Sequence, residues 1–246
     1  MRGGGILNEI IGIVLLSGIS GMIAPMLGAA VSLLIGPERR RLISFIMEFS
    51  AGLMIGIAAY DLLPEALHAG YPPALSGLTL GAVLALCLKG VVERHGEGRT
   101  LLSTGALQLI GVCTHNFFEG LAIGSGFLLS PQLGLSLLLV IVLHDLPEGV
   151  GLGAPLRGAK VRPFRILLLA AATGLPVLLG TAAGALAGGI SPELTGFCLA
   201  LAAGVMLYIS FSDVIPSSRR LVTSRGQGAL NIAGMAAGLL LSKICI

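Results

Sequence analysis

The 246-residue chain is 55% hydrophobic and 11% charged, with a formal net charge of +3 and a mean hydropathy of +0.97. A water-facing domain carries roughly a quarter charged residues, so this composition excludes an ordinary soluble globule. The small net charge, without a basic tail, gives no footing for nucleic acid.

A spanning helix needs about 20 mostly apolar residues. Eight segments meet that requirement: Ile6–Leu34, Leu42–Leu63, Pro73–Val91, Leu102–Leu128, Leu133–Gly153, Ile166–Leu186, Leu194–Ile215 and Ala229–Ile244. The first is read as a helix rather than a signal peptide, because its apolar run continues to Ile35 without a cleavage site. The joints are short and carry turn chemistry at Gly36–Pro37, Pro72–Pro73, Ser130–Pro131 and Ser191–Pro192. With no linker or low-complexity tract, residues 1–246 read as a single transmembrane domain. The 37 glycines suit helices that must approach closely in lipid, where the hydrophobic effect does not drive them together. Cys87, Cys113, Cys198 and Cys245 are isolated and form no CxxC pair, so neither a disulfide framework nor a thiolate zinc site is expected.

Cytoplasmic loops collect Lys and Arg. Thirteen of the 15 basic residues follow the odd-numbered segments: Arg39 to Arg41, then Lys89, Arg94 and Arg99, then Arg157, Lys160, Arg162 and Arg165, then Arg219, Arg220 and Arg225. Only Arg2 and Lys243 fall on the other side. This alternation places both termini outside the cytoplasm, in a multi-pass protein of the cell (inner) membrane.

Two internal repeats follow. Residues 51–65 (AGLMIGIAAYDLLPE) align without gaps on 203–217 (AGVMLYISFSDVIPS), keeping Ala, Gly, Met, Ile, Asp and Pro in register. HNFFEG at 115–120 similarly matches HDLPEG at 144–149. Each pair falls on helices of opposite direction, and inverted repeats about a mid-membrane site are a transporter plan.

The second repeat carries the chemistry. His115, Asn116 and Glu119 lie near the middle of the fourth segment, and His144, Asp145 and Glu148 near the middle of the fifth. Each charge at the bilayer centre costs about 2.5–3.5 kcal/mol, or about 8–10 kcal/mol for three unpaired carboxylates. Neither segment has a nearby Lys or Arg to neutralise them. A divalent cation would. The i, i+4 pairs His115/Glu119 and His144/Glu148 each share a helix face. Asn116 and Asp145 sit about 100° round and, at i, i+3, reach the same glutamates. One metal could take His115, Glu119, His144 and Glu148; a weaker second position could take Asn116, Asp145 and the shared glutamates. Imidazole with carboxylate suits zinc, with iron, manganese or cadmium as further candidates.

HNFFEG and HDLPEG resemble the signature helices of the ZIP (Zrt/Irt-like) divalent metal transporters, bacterial type. The AGxM…DxxP stretches of the second and seventh segments are similar to that family too, as is GLPVLLG at 174–180. The resemblance covers essentially the whole chain. It implies an all-α membrane protein of eight transmembrane helices in a 3+2+3 arrangement, with inverted repeats (helices 1–3 and 6–8) around helices 4 and 5. It further implies metal delivery into the cytoplasm and ligation by His115, Asn116, Glu119, His144, Asp145 and Glu148. Two positions depart from the family's pattern. Phe118 stands where proline commonly precedes the glutamate, which leaves a proline kink only at Pro147. The sixth segment also lacks the carboxylate that completes a second metal position in some bacterial members.

Asp61, Glu65 and His68 at the outer end, and Asp213 toward the cytoplasm, read as a metal pathway or as interfacial groups. Glu48 lies within reach of the cytoplasmic interface, His95 falls in a solvated loop, and Cys113 shares a face with Asn116 as a packing residue. The alternative is an intramembrane metal-dependent hydrolase. Such an enzyme needs a general base beside its metal, as in HExxH, but Asn116 and Asp145 occupy that place, so no enzyme and no catalytic cofactor is expected. The metal is the transported substrate. The partners are divalent metal ions and the lipid bilayer, with a homodimer as the assembly to test.

Overall fold

The computed structural model describes residues 3–95, 100–186 and 191–244, and the regular structure among them is entirely helical. The helices form eight rods: α1 (Gly3–Leu33), α2 (Arg40–Ala69), α3 (Tyr71–His95), α4 (Leu101–Leu129), α5 (Pro131–Gly158), α6 (Pro163–Leu186), α7 (Pro192–Leu221) and α8 (Gly226–Ile244). These cover the eight expected segments. Most run past the apolar stretch at one or both ends, because backbone hydrogen bonding continues where hydropathy has already fallen. Expected features at Arg2, Arg99 and Cys245, and the side chains of His95 and Lys243, lie outside the described residues.

Among the described residues, six rods are long and apolar enough to cross a membrane: α1, α2, α3, α5, α6 and α7. Helix α4 has the length, but Gln108, His115, Asn116 and Glu119 dilute its hydropathy. The described apolar part of α8, Gly226–Leu241, is shorter.

Helix starts follow local chemistry. Thr100 and Ser103 form a reciprocal capping box on α4, the Ser191 hydroxyl accepts from Leu194 N–H on α7, and prolines begin α5, α6 and α7. Gly70, at φ 141°, makes the break between α2 and α3 in a region few other residues enter.

Helices α2 and α7 form the centre. Their apolar windows are 72% and 67% buried, against 28% for α1 and 17% for α3. The outer helices turn Ile11, Leu15, Ile19, Leu75 and Leu86 outward, as a lipid-facing surface requires. The two central helices pack extensively on each other, as does α1 on α6; beside these, α1 pairs with α5, α4 with α6, α2 with α8 and α3 with α7. Glycine sets how closely they approach: Gly120 and Gly124 of α4 lie against the α6 carbonyls of Val177 and Thr181, where any β-carbon would collide.

Both central helices widen into one π turn, at Ala58–Leu62 in α2 and Ser210–Val214 in α7. Each turn carries the repeated aspartate and is followed by the repeated proline, Pro64 or Pro216. Proline has no N–H and crowds the carbonyl four residues earlier, and a π turn accommodates it, commonly at functional sites. For Pro216 that carbonyl belongs to Ser212, and Lys89 Nζ of α3 donates to it at 2.5 Å. Lys89 is therefore turned into the protein rather than serving as a loop charge.

Glu48 also departs from its expected place at the interface. Its side chain is fully buried, with Oε1 3.3 Å from Arg219 Nε, and its backbone carbonyl accepts from Asn231 Nδ2 at 3.1 Å. A carboxylate buried within a helix bundle needs a cationic partner, and α7 supplies one.

Candidate metal centre

The six mid-helix polar residues meet where α4 packs on α5. His115, Asn116, Glu119 and Asp145 are fully buried, and His144 and Glu148 are 2% exposed. Contact between the helices is crossed: His115 Nε2 lies 3.1 Å from Glu148 Oε1, and His144 Nε2 lies 3.5 Å from Glu119 Oε1. His144 Nε2 is also 3.9 Å from Asp145 Oδ1. Glu119, His144 and Asp145 each present a ligand atom, and these atoms lie within 4.8 Å of one another. This trio cuts across the division expected from spacing, in which His144 and Asp145 serve different metal positions.

Asn116 is anchored sideways. Its Nδ2 donates to the carbonyl of Thr173 at 2.9 Å. Thr173 is the break in α6, which is α-helical over Pro163–Ala172 and resumes over Gly174–Leu186. Pro176 supplies no N–H to the carbonyl of Ala172, and Gly174 weakens the helix locally, so the turn opens there. The tether leaves Asn116 Oδ1 without a protein partner. Pro147, by contrast, lies inside the continuous helix α5, where its own carbonyl accepts from Ser50 Oγ at 3.1 Å.

The chemistry of this donor set is unusual for a protein interior. Apart from the crossed histidine–glutamate contacts, the carboxylate oxygens of Glu119, Asp145 and Glu148 and the imidazole nitrogens are buried without a hydrogen-bond partner. Among the described residues no Lys or Arg pairs with these carboxylates. Buried carboxylates left this way carry a large desolvation cost. A divalent cation held by oxygen and imidazole nitrogen offsets it, and hard-to-borderline ions such as zinc accept that donor set.

Asp61, Glu65 and His68 line a cavity of about 210 Å³ together with Tyr60, Ser136 and Val140. Glu65 and His68 are exposed and Asp61 is half-buried, close enough to His144 and Glu119 to feel their charges. The cavity thus lies at the C-terminal end of α2, with Asp61 on its wall. Asp213 is 7% exposed in the π turn of α7 and lies outside the trio. Cys113 is half-buried on α4 and joins no ligand group among the described residues. Sequence spacing missed Thr173 and Gln108. For Gln108 the signal was present, since an amide in the middle of an apolar helix is costly without a task.

A family model described as ZIP Zinc transporter matches residues 92–244. The putative zinc transporter At3g08650 of Arabidopsis thaliana is 30% identical over 178 residues, covering 69% of this chain and 29% of that protein. Zinc transporter ZIP4 of Homo sapiens is 37% identical over 108 residues, 44% of this chain and 16% of that protein. Zinc transporter GufA of Myxococcus xanthus is 37% identical over 134 residues, 54% of this chain and 52% of that protein. The matched stretches therefore span about half the length of these relatives or less.

Proposed function

The chain belongs to the ZIP zinc transporter family, and on that premise we propose that it carries zinc across the cell membrane into the cytoplasm, with His115, Asn116, Glu119, His144, Asp145 and Glu148 as ligands. The observation that carries this reading is the buried convergence of three carboxylates and two imidazoles that face one another and no Lys or Arg among the described residues. Metal enters through the cavity of Asp61, Glu65 and His68 and leaves on the side of the basic loops, toward Asp213. All eight helices span the bilayer, in a 3+2+3 order. The pairing of α1 with α5 and α4 with α6, and of α2 with α8 and α3 with α7, supports this order, because an inverted repeat exchanges the members of each couple. The matched π turns of α2 and α7 support it as well. A homodimer is the assembly we propose to test by mass measurement in detergent.

The function is tested by loading proteoliposomes with a metal-sensitive dye and offering zinc, iron(II), manganese and cadmium outside. We expect uptake of zinc at the highest rate. Uptake no faster than in protein-free vesicles for all four ions would remove the transport reading.

Orientation has its own test. On a background without native cysteines, a cysteine replacing Arg40 or Lys160 is expected to react with an impermeant thiol reagent only after the membrane is opened. Reaction in intact cells would reverse the direction of transport proposed here.

A further inference from the structure

We propose that Gln108 is the next donor a divalent cation meets when it leaves the metal centre toward the basic loops. The inference rests on the transport reading above. Gln108 lies seven residues before His115 on α4, so the two side chains are about 20° apart around the helix and about 10.5 Å apart along it. Thr104, Gln108, His115 and Glu119 form one stripe, and all four are buried. Neither amide atom of Gln108 has a hydrogen-bond partner.

The surroundings are polar and small-sided rather than bulky and apolar. Gly151 of α5 lies about one turn beyond Glu148, on the same side of the centre as Gln108. A β-carbon on Gly151 would come within 3.2 Å of Gln108 Nε2 and collide with Ser50 Oγ. The amide, the Ser50 hydroxyl and a glycine backbone thus meet at one place below the centre. Further along the stripe, Thr104 Oγ1 and Ser217 Oγ are 2.8 Å apart and join α4 to α7. That hydroxyl pair is satisfied internally. Gln108 is not, so its oxygen remains available to a passing cation. A buried amide with no partner destabilises the fold, and an apolar residue of the same length would pack there at lower cost. A transport task explains why an amide stands at this position.

The experiment separates packing from passage. Gln108→Met is expected to raise the thermal midpoint of the purified protein while lowering the maximal rate of zinc uptake at least tenfold. The KM and the zinc affinity measured by titration should stay within threefold, because the centre itself is intact. Gln108→Glu keeps an oxygen donor on the same stem and is expected to retain at least a third of the wild-type rate. Should the methionine variant fail to fold, Gln108→Leu takes its place with the same expectation. An apolar variant as fast as the wild type, or a glutamate variant as slow as the apolar one, overturns the proposal. Uptake by the wild type with an unaffected apolar variant removes only this step; no uptake by the wild type removes the transport reading with it.

Discussion

Glu119→Ala is expected to reduce zinc uptake by at least a hundredfold while leaving the protein inserted and folded. Glu119 belongs to the trio with His144 and Asp145, and its Oε1 lies 3.5 Å from His144 Nε2. On α4 it is also one turn from His115 and Asn116, so its loss weakens any ligand set drawn from both helices. Removing a carboxylate ligand takes away a charge as well as a donor atom. A tenfold change corresponds to about 1.4 kcal/mol, and loss of one charged ligand in a low-dielectric site exceeds twice that on general grounds. Folding should survive, since a carboxylate buried with only an imidazole beside it adds little stability against its desolvation cost. Uptake assays on proteoliposomes matched for inserted protein provide the check. Near-normal uptake by this variant would show that the metal crosses elsewhere.

The second large effect concerns Asp145. From spacing alone, Asp145 falls with Asn116 in a weaker second position, and its removal should leave measurable transport. The geometry favours the opposite. Asp145 Oδ1 lies 3.9 Å from His144 Nε2, and Asp145 completes the only trio of ligand atoms within 4.8 Å among the described residues. Asn116 is held away from full ligand freedom by its bond to Thr173, and α6 brings no carboxylate to that side. Zinc affinity of Asp145→Ala should therefore fall at least tenfold, with one tight site in the wild-type titration. Asn116→Ala should cost less in affinity, its chief loss being the tether between α4 and α6. Calorimetric titration of the three purified proteins distinguishes these cases. An Asp145 variant that binds zinc as tightly as the wild type would return the site to the division expected from spacing.

Much of this protein was determined by its sequence. Long apolar runs, punctuated by proline and glycine, specify eight helices, because a helix satisfies its backbone hydrogen bonds within its own segment. The i, i+3 and i, i+4 spacing places His115, Asn116 and Glu119 on adjoining faces of α4, and His144, Asp145 and Glu148 on those of α5, since helical periodicity is local. The repeated Asp and Pro likewise foretell matched features in α2 and α7. Tertiary structure alone decided which partners meet. His115 faces Glu148 and His144 faces Glu119; Asn116 ties α4 to the break in α6; Glu48 finds Arg219, and Lys89 finds the Ser212 carbonyl. These depend on the rotation and height of one helix against another, which glycine contacts such as Gly120 on Val177 set at single-residue precision. A one-dimensional pattern records each helix's own faces, but the angle at which two rods lock is a property of their packed surfaces.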